Sequence, residues 1–328
     1  MAEKILSLGI DTSNYKTSVA VTDESGNIIA DSRRFLAVKK GERGLRQSDA
    51  LFQHVQILPL LIENVLSDSR IRQNIRCISA SSKPRPQEGS YMPVFTAGVS
   101  AGRTLAAAMG IPFFEFSHQE GHVEAVRQYC MAKDADRLIC FHFSGGTTEA
   151  ILVQDSDKTF EIVGGSRDIS YGQLLDRTGV AMGLDFPCGQ ILDKTALSLQ
   201  AAGQEKKPGI ISPIKVNDGF VNLSGTETQV LRALKTHDCR KITGELFERI
   251  ASSIFEMTVQ LGKKYDVSDF LYAGGVSASI YLREHLQGKV AGCRTFFGRP
   301  ELSSDNAVGT ALLGGRRYGA ETGNGDAT

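Results

Sequence analysis

Residues 138–153 read LICFHFSGGTTEAILV: an apolar run, Leu138 to Phe143, a small polar turn, Ser144-Gly145-Gly146-Thr147-Thr148, and a second run, Glu149 to Val153. Apolar runs of this length bounded by glycine predict buried strands, here a strand–turn–strand unit. The chain opens on the same arrangement: Ile5 to Ile10, the turn Asp11-Thr12-Ser13-Asn14, then Thr17 to Val21 and, past a second turn, Ile28-Ile29-Ala30. A third strand-to-glycine junction follows at Phe270-Leu271-Tyr272-Ala273-Gly274-Gly275-Val276. Two such hairpins separated by helical segments predict an α/β fold made of a duplicated domain with a cleft between its halves. Turns at strand ends offer backbone N–H groups to phosphate, so the three around Thr12, Gly145 and Gly274 are candidate nucleotide contacts.

Between these anchors, apolar spacing at Leu51, Val55, Leu58, Ile62 and Val65 predicts a helix over 48–66, with Ser48 or Asp49 as N-cap. A buried strand is expected at Ile75–Ser81, an alanine-rich helix at 94–109, a long amphipathic helix at 243–264 and another helix from about Ser279. The end of the chain, from about Ala320, is small and polar and is expected to fray.

A chain of 328 residues with 41% hydrophobic and 23% charged content is long enough for two cores of ordinary globular type. Net charge is zero, so no global basic field attracts nucleic acid, and any RNA contact has to come from local clusters. Arg33, Arg34, Lys39, Lys40, Arg43 and Arg46 form one; Arg70, Arg72, Arg76, Lys83 and Arg85 form another; a solvated face is the simpler reading of either. Six cysteines without a CxxC pair suit a reducing compartment. No signal peptide precedes the first strand and no apolar run reaches membrane-spanning length, so a cytoplasmic protein is expected.

The segment Ser117-His118-Gln119-Glu120-Gly121-His122 places two histidines four apart. On a helix that spacing puts both imidazoles on one face, ~6 Å apart along the axis, a workable bite for one metal ion. Glu120 lies two positions after the first histidine rather than one, so it points away from that face and the zinc-protease pattern is absent. Surface or capping histidines are the alternative.

These residues resemble the actin-like ATPase (ribonuclease H-like) superfamily and, within it, the tRNA threonylcarbamoyladenosine transferase family, TsaD. The resemblance runs from about residue 5 to 316, through LGIDTSNYKTSVAV, HQEGH, FSGGTTEA, DISYGQLLDRTGVAMGLDFPCG, YAGGVSASIYLR and SSDNAVGTALLGG. It implies one divalent metal, iron or zinc, on His118, His122 and Asp305, with capping of a helix from Asn306 as the other role for Asp305. It implies an adenine nucleotide, threonylcarbamoyl-AMP or ATP/ADP, at His142, Phe143, Ser144, Gly145, Gly146, Asp176 (ribose), Gly189, Gly274, Gly275, Ser279 (adenine side) and Asp11 (first phosphate hairpin). No catalytic residue beyond the metal site is implied. Its domain division is 1–117, joined by a C-terminal helix 306–318, and 118–305 with the metal and nucleotide site, followed by a disordered tail 320–328.

The resemblance implies transfer of a threonylcarbamoyl group to the adenosine beside the tRNA anticodon, with tRNA and companion subunits as partners and no membrane. Departures stand beside the matches. The family's S-G-G-H-T has Thr147 for its histidine, its G-E-A-x-D-K becomes Gly172 to Arg177, its adenine-side asparagine is Ser279, and two acids of the first turn become Tyr15 and Lys16. Its G-P-G loop is replaced by Lys83–Pro93. These changes keep open a nucleotide-binding or ATPase paralog without tRNA activity, a regulatory partner of the modification complex, and a small-molecule carbamoyltransferase.

Overall fold

The structure is a computed structural model that describes residues 5–13, 15–38, 45–130, 135–155, 159–203, 209–302 and 305–323. The chain divides into two compact units, Met1–Gln128 with Ser304–Thr328, and Tyr129–Ser303.

The first unit holds β1 (Leu6–Thr12), β2 (Lys16–Asp23), β3 (Ile28–Phe35), α1 (Gln47–Leu66), α2 (Ser69–Asn74), β4 (Ile75–Lys83), α3 (Phe95–Met109), β5 (Phe113–Ser117) and α4 (His118–Arg127). The second holds β6 (Arg137–Phe143), β7 (Thr148–Gln154), β8 (Thr159–Ser166), α5 (Tyr171–Ala181), α6 (Gly189–Ala201), β9 (Phe220–Val221), α7 (Ser224–Ala233), α8 (Cys239–Tyr265), β10 (Asp269–Ala273), α9 (Ile280–Leu286) and β11 (Arg294–Phe297). The last helix, α10 (Val308–Thr322), returns to the first unit.

The duplication holds at the level of strand order. The first sheet runs β3-β2-β1-β4-β5 and the second β11-β10-β6-β7-β8-β9. In both, two hairpins make three antiparallel strands, and the first of these then takes a parallel neighbour reached through helices: β4 beside β1, β10 beside β6. Strand β9 is the addition in the second copy, parallel to β8. Strands β1 and β6 are central and buried on both faces, so they read as continuous apolar runs rather than alternating ones. Each unit has its own core: Leu8, Ile10, Val19, Leu58 and Ile78 in the first, and Phe141, Phe143, Leu174, Phe247, Ile254 and Tyr272 in the second.

The boundary between units differs from the expected 117/118. Helix α4, with both histidines, belongs with β1, β4 and α10. The reason is steric: a Cβ on Gly309 of α10 would lie 1.7 Å from the carbonyl oxygen of Gly121 in α4, so only glycine lets these two helix backbones touch. On the sheet side of α10, Ser79 Oγ donates to Thr310 O at 2.7 Å, and Ser7 Oγ donates to Ala311 O. The stretch from 320, expected to fray, is helical as far as Thr322. Helix α10 continues to Thr322, supported by the Arg317–Glu321 pair at 2.6 Å and ended by Gly323 at φ 73°; residues 324–328 lie outside the described residues. Of the first basic cluster, Lys39, Lys40 and Arg43 also lie outside them, and Arg46 borders α1 as its N-cap.

Candidate functional site

Serine at 117 starts α4. Its Oγ accepts from the Glu120 amide at 3.2 Å, and Glu120 Oε2 accepts from the Ser117 amide at 2.7 Å, a reciprocal capping box. Glu120 is therefore a cap, turned away from the histidine face as its position in the segment requires. One turn apart, His118 and His122 bring their Nε2 atoms to 3.0 Å. Asp305 Oδ1 completes the group, 3.3 Å from His122 Nε2 and 3.6 Å from His118 Nε2. Capping of α10 does not claim Asp305: Asn306 Oδ1 accepts from the Val308 amide at 3.0 Å, which leaves the aspartate to the imidazoles.

The three donor atoms lie within 4.8 Å of one another. A first-row divalent cation with ligands at ~2.0–2.2 Å sets those ligands roughly 3.0–3.5 Å apart, so the group fits such an ion. Two imidazoles and one carboxylate suit iron, zinc or manganese chemically, and the set does not choose among them.

Charge in this cluster is divided between the rings. Burial works against a charged His118, but Asp11 and Asp305 outweigh it and lift its pKa to about 10. His122 moves the other way, through burial and the neighbouring His118 cation. Burial would raise Asp305, yet hydrogen bonds and charge from both histidines hold it well below the ordinary carboxylate range. Asp11, expected at the first phosphate hairpin, stands near the end of β1 in the β1–β2 hairpin. It is fully buried, with Oδ1 2.8 Å from His118 Nδ1 and Oδ2 accepting from Ser13 Oγ at 2.7 Å. Lys16 lies under the Phe35 ring at 4.5 Å, and burial draws its ammonium below the usual lysine value although Asp305 pulls upward.

The second unit is built differently. After β6, Ser144 N donates to Thr147 O at 2.9 Å and Thr147 N donates to Ser144 Oγ at 3.1 Å, closing the turn around Gly145 and Gly146. A Cβ at either glycine would meet nothing within 4 Å, so the turn's outer side is open. Its inner side is tightly filled. Gly274, at φ 89°, sits where a Cβ would be 2.3 Å from Phe143 O, and Gly172 where one would be 2.3 Å from Ser144 O. Three segments thus meet backbone to backbone at the end of β6, with His142 and Phe143 buried behind them. Gly275 and Gly189 also face open space.

Two expected contacts of this unit are bound internally. Asp176 Oδ1 accepts from the Cys188 amide at 2.8 Å at the start of α6, and burial raises its pKa despite that bond. Ser279 donates to Asp193 Oδ1 at 2.6 Å and accepts from the Leu282 amide at 3.2 Å. Asp193, absent from the sequence reading, also accepts from the amides of Ile280 and Tyr281 and so anchors α9. Its signal was an acid on a helix face otherwise made of Leu192, Ala196 and Leu199.

A family model described as tRNA N6-adenosine threonylcarbamoyltransferase matches residues 32–312. The chain belongs to that family. Members of the threonylcarbamoyltransferase family are transferases, and one of that name from Geobacillus thermodenitrificans is 27% identical over 96% of this chain and 92% of its own length. Among solved structures, HypF of T. kodakarensis matches 97% of this chain and 48% of its own at TM-score 0.60 and 13% identity. The activator of 2-hydroxyisocaproyl-CoA dehydratase from Clostridium difficile, with bound ADPNP, matches 99% of each chain at TM-score 0.53 and 12% identity. At these identities the likeness is one of fold, and that fold is the duplicated actin-like ATPase architecture. Among the described residues, no helix is long and apolar enough to cross a membrane.

Proposed function

We propose that this chain transfers the threonylcarbamoyl group of threonylcarbamoyl-AMP to the N6 amine of the adenosine beside a tRNA anticodon, with a divalent metal on His118, His122 and Asp305. Family membership supports the reaction class, and the convergence of three ligand atoms from segments far apart in sequence carries the metal reading. In the reaction the amine nitrogen bonds the acyl carbon, the acyl–oxygen bond to AMP breaks, AMP leaves with that electron pair, and the amine releases a proton. His118, His122 and Asp305 would hold the cation, which would supply Lewis-acid chemistry for an acyl transfer.

The remaining chemistry falls to this chain's own groups. Asp305, kept ionised, and His122, kept neutral, are ready to ligate without prior loss of a proton. The open turn at Gly145 and Gly146 presents backbone to a phosphate, so the adenylate is assigned to the second unit with His142, Phe143, Ser144, Gly189, Gly274 and Gly275 around it. The fold neighbour that holds ADPNP supports a nucleotide. Asp176 and Ser279 support that site from behind through the amides and side chains they already bind. Partners in this reading are tRNA and the companion proteins of threonylcarbamoylation, in the cytoplasm.

The internal bonds of Ser279 and Asp176 favour one second reading, a nucleotide-binding paralog that no longer modifies tRNA. Incubation of purified protein with threonylcarbamoyl-AMP and unmodified tRNA separates the two. Modified adenosine in digested tRNA, lost on metal removal, supports the transferase; nucleotide binding without tRNA product supports the paralog.

A further inference from the structure

We propose that Asp11 is a positioning residue of the metal centre: it holds His118 through Nδ1 and so fixes Nε2 as the ligand atom. The inference deepens the metal reading above and rests on it.

Asp11 lies near the end of β1, with no exposed surface. A buried carboxylate is costly unless its oxygens are bonded, and here each oxygen has its own partner. Oδ1 meets His118 Nδ1 at 2.8 Å and Oδ2 accepts a hydrogen bond from the Ser13 hydroxyl at 2.7 Å. Bonds from two directions fix the plane of the carboxylate and, through it, the plane of the imidazole. The opposite ring nitrogen then points at His122 Nε2, 3.0 Å away, and at Asp305. Phe95 closes one side of the ring, centroid to centroid 5.9 Å. With the carboxylate on one nitrogen and the ligand cluster on the other, a metal would replace the proton on Nε2 while Nδ1 keeps its own, held by Asp11. The carboxylate also makes the ring a stronger donor.

Cobalt(II) alone serves as the probe, titrated into metal-free protein against a competing chelator and followed by its d–d absorption. Wild type is expected to bind one equivalent, and the H118A/H122A double variant none. D11N, which keeps shape and acceptor but not charge, is expected to bind 10–100-fold more weakly. D11E is expected to recover part of that loss, and S13A to weaken binding by a smaller factor. If D11N does not fold, S13A and a long-range 1H–15N spectrum of the zinc-loaded wild type carry the test. That spectrum is expected to show a protonated Nδ1 and a metal-bound Nε2 on His118. Wild-type cobalt affinity in both D11N and S13A, or zinc on Nδ1, overturns this inference and leaves the metal reading standing. A wild type that binds no cobalt overturns both.

Discussion

The two hairpins that define the duplication, β1–β2 and β6–β7, share strand order and register, yet their turns are made for different partners. The first ends in buried side chains: Asp11 on His118, Thr12 Oγ1 donating to Val94 O at 3.0 Å, and Lys16 under Phe35. The second ends in bare backbone, Gly145 and Gly146, with open space where side chains would stand. One presents buried, charged side chains; the other presents bare backbone and room. Topology is thus a scaffold that leaves the chemistry free, and the residues at the strand ends decide it.

The double substitution H118A/H122A should break the comparison most severely on one side only. Bound metal is expected to vanish from elemental analysis and transfer to fall to background, while ATP titrated calorimetrically binds as to wild type. Loss of both functions together would show that the two ligand sites are not separable. Next in size is G274A, which forces a Cβ against Phe143 O at an unfavourable φ. A loss of about 2–4 kcal/mol in urea unfolding is expected, with the metal site unaffected.

Glu245 sharpens the comparison from within the second unit, where one buried carboxylate accepts from the amides of Gly209, Ile210 and Ile211 at 3.0–3.1 Å and from Arg249 at 3.1 Å. Burial would raise its pKa, but these bonds outweigh burial and hold it below the ordinary value of 4.5. A depressed folded-state pKa contributes stability above the unfolded value that is lost as pH falls through the folded one. E245Q should therefore be less stable by about 1.5–3 kcal/mol at neutral pH, with the gap to wild type closing below about pH 4.5 in unfolding curves. A gap independent of pH would remove the carboxylate from that account. The smallest effect is expected from G146A. It meets no protein atom, so the melting temperature should hold while ATP affinity falls about tenfold, or 1.4 kcal/mol.

Much of this arrangement is local and was legible in the chain. The apolar runs of β1 and β6, the glycine turn after Phe143 and the histidine spacing of α4 are all short-range signals. Apart from the grouping of Asp305 with the two histidines, which the family resemblance implied, partnerships across sequence were not legible without the fold. Asp11 reads as an acid of the first hairpin, and its bond to His118, 107 residues away, shows only in the fold. The unit boundary was missed because Gly309 reads as one more small residue, and only contact with Gly121 shows that it draws α4 to α10. Asp305 reads as a possible cap of the last helix, whereas α10 has Ala307 as its N-cap with no side-chain cap bond. The serine at 279 reads as a lost adenine contact, whereas its bond to Asp193 makes it part of the support for α9.

The most direct test is zinc-edge anomalous diffraction from crystals of the zinc-loaded protein. The account predicts one anomalous peak bonded to His118 Nε2, His122 Nε2 and Asp305 Oδ1 at ~2.0–2.2 Å. Stoichiometric zinc bound elsewhere, or a peak on the histidines with Asp305 turned away, would contradict it.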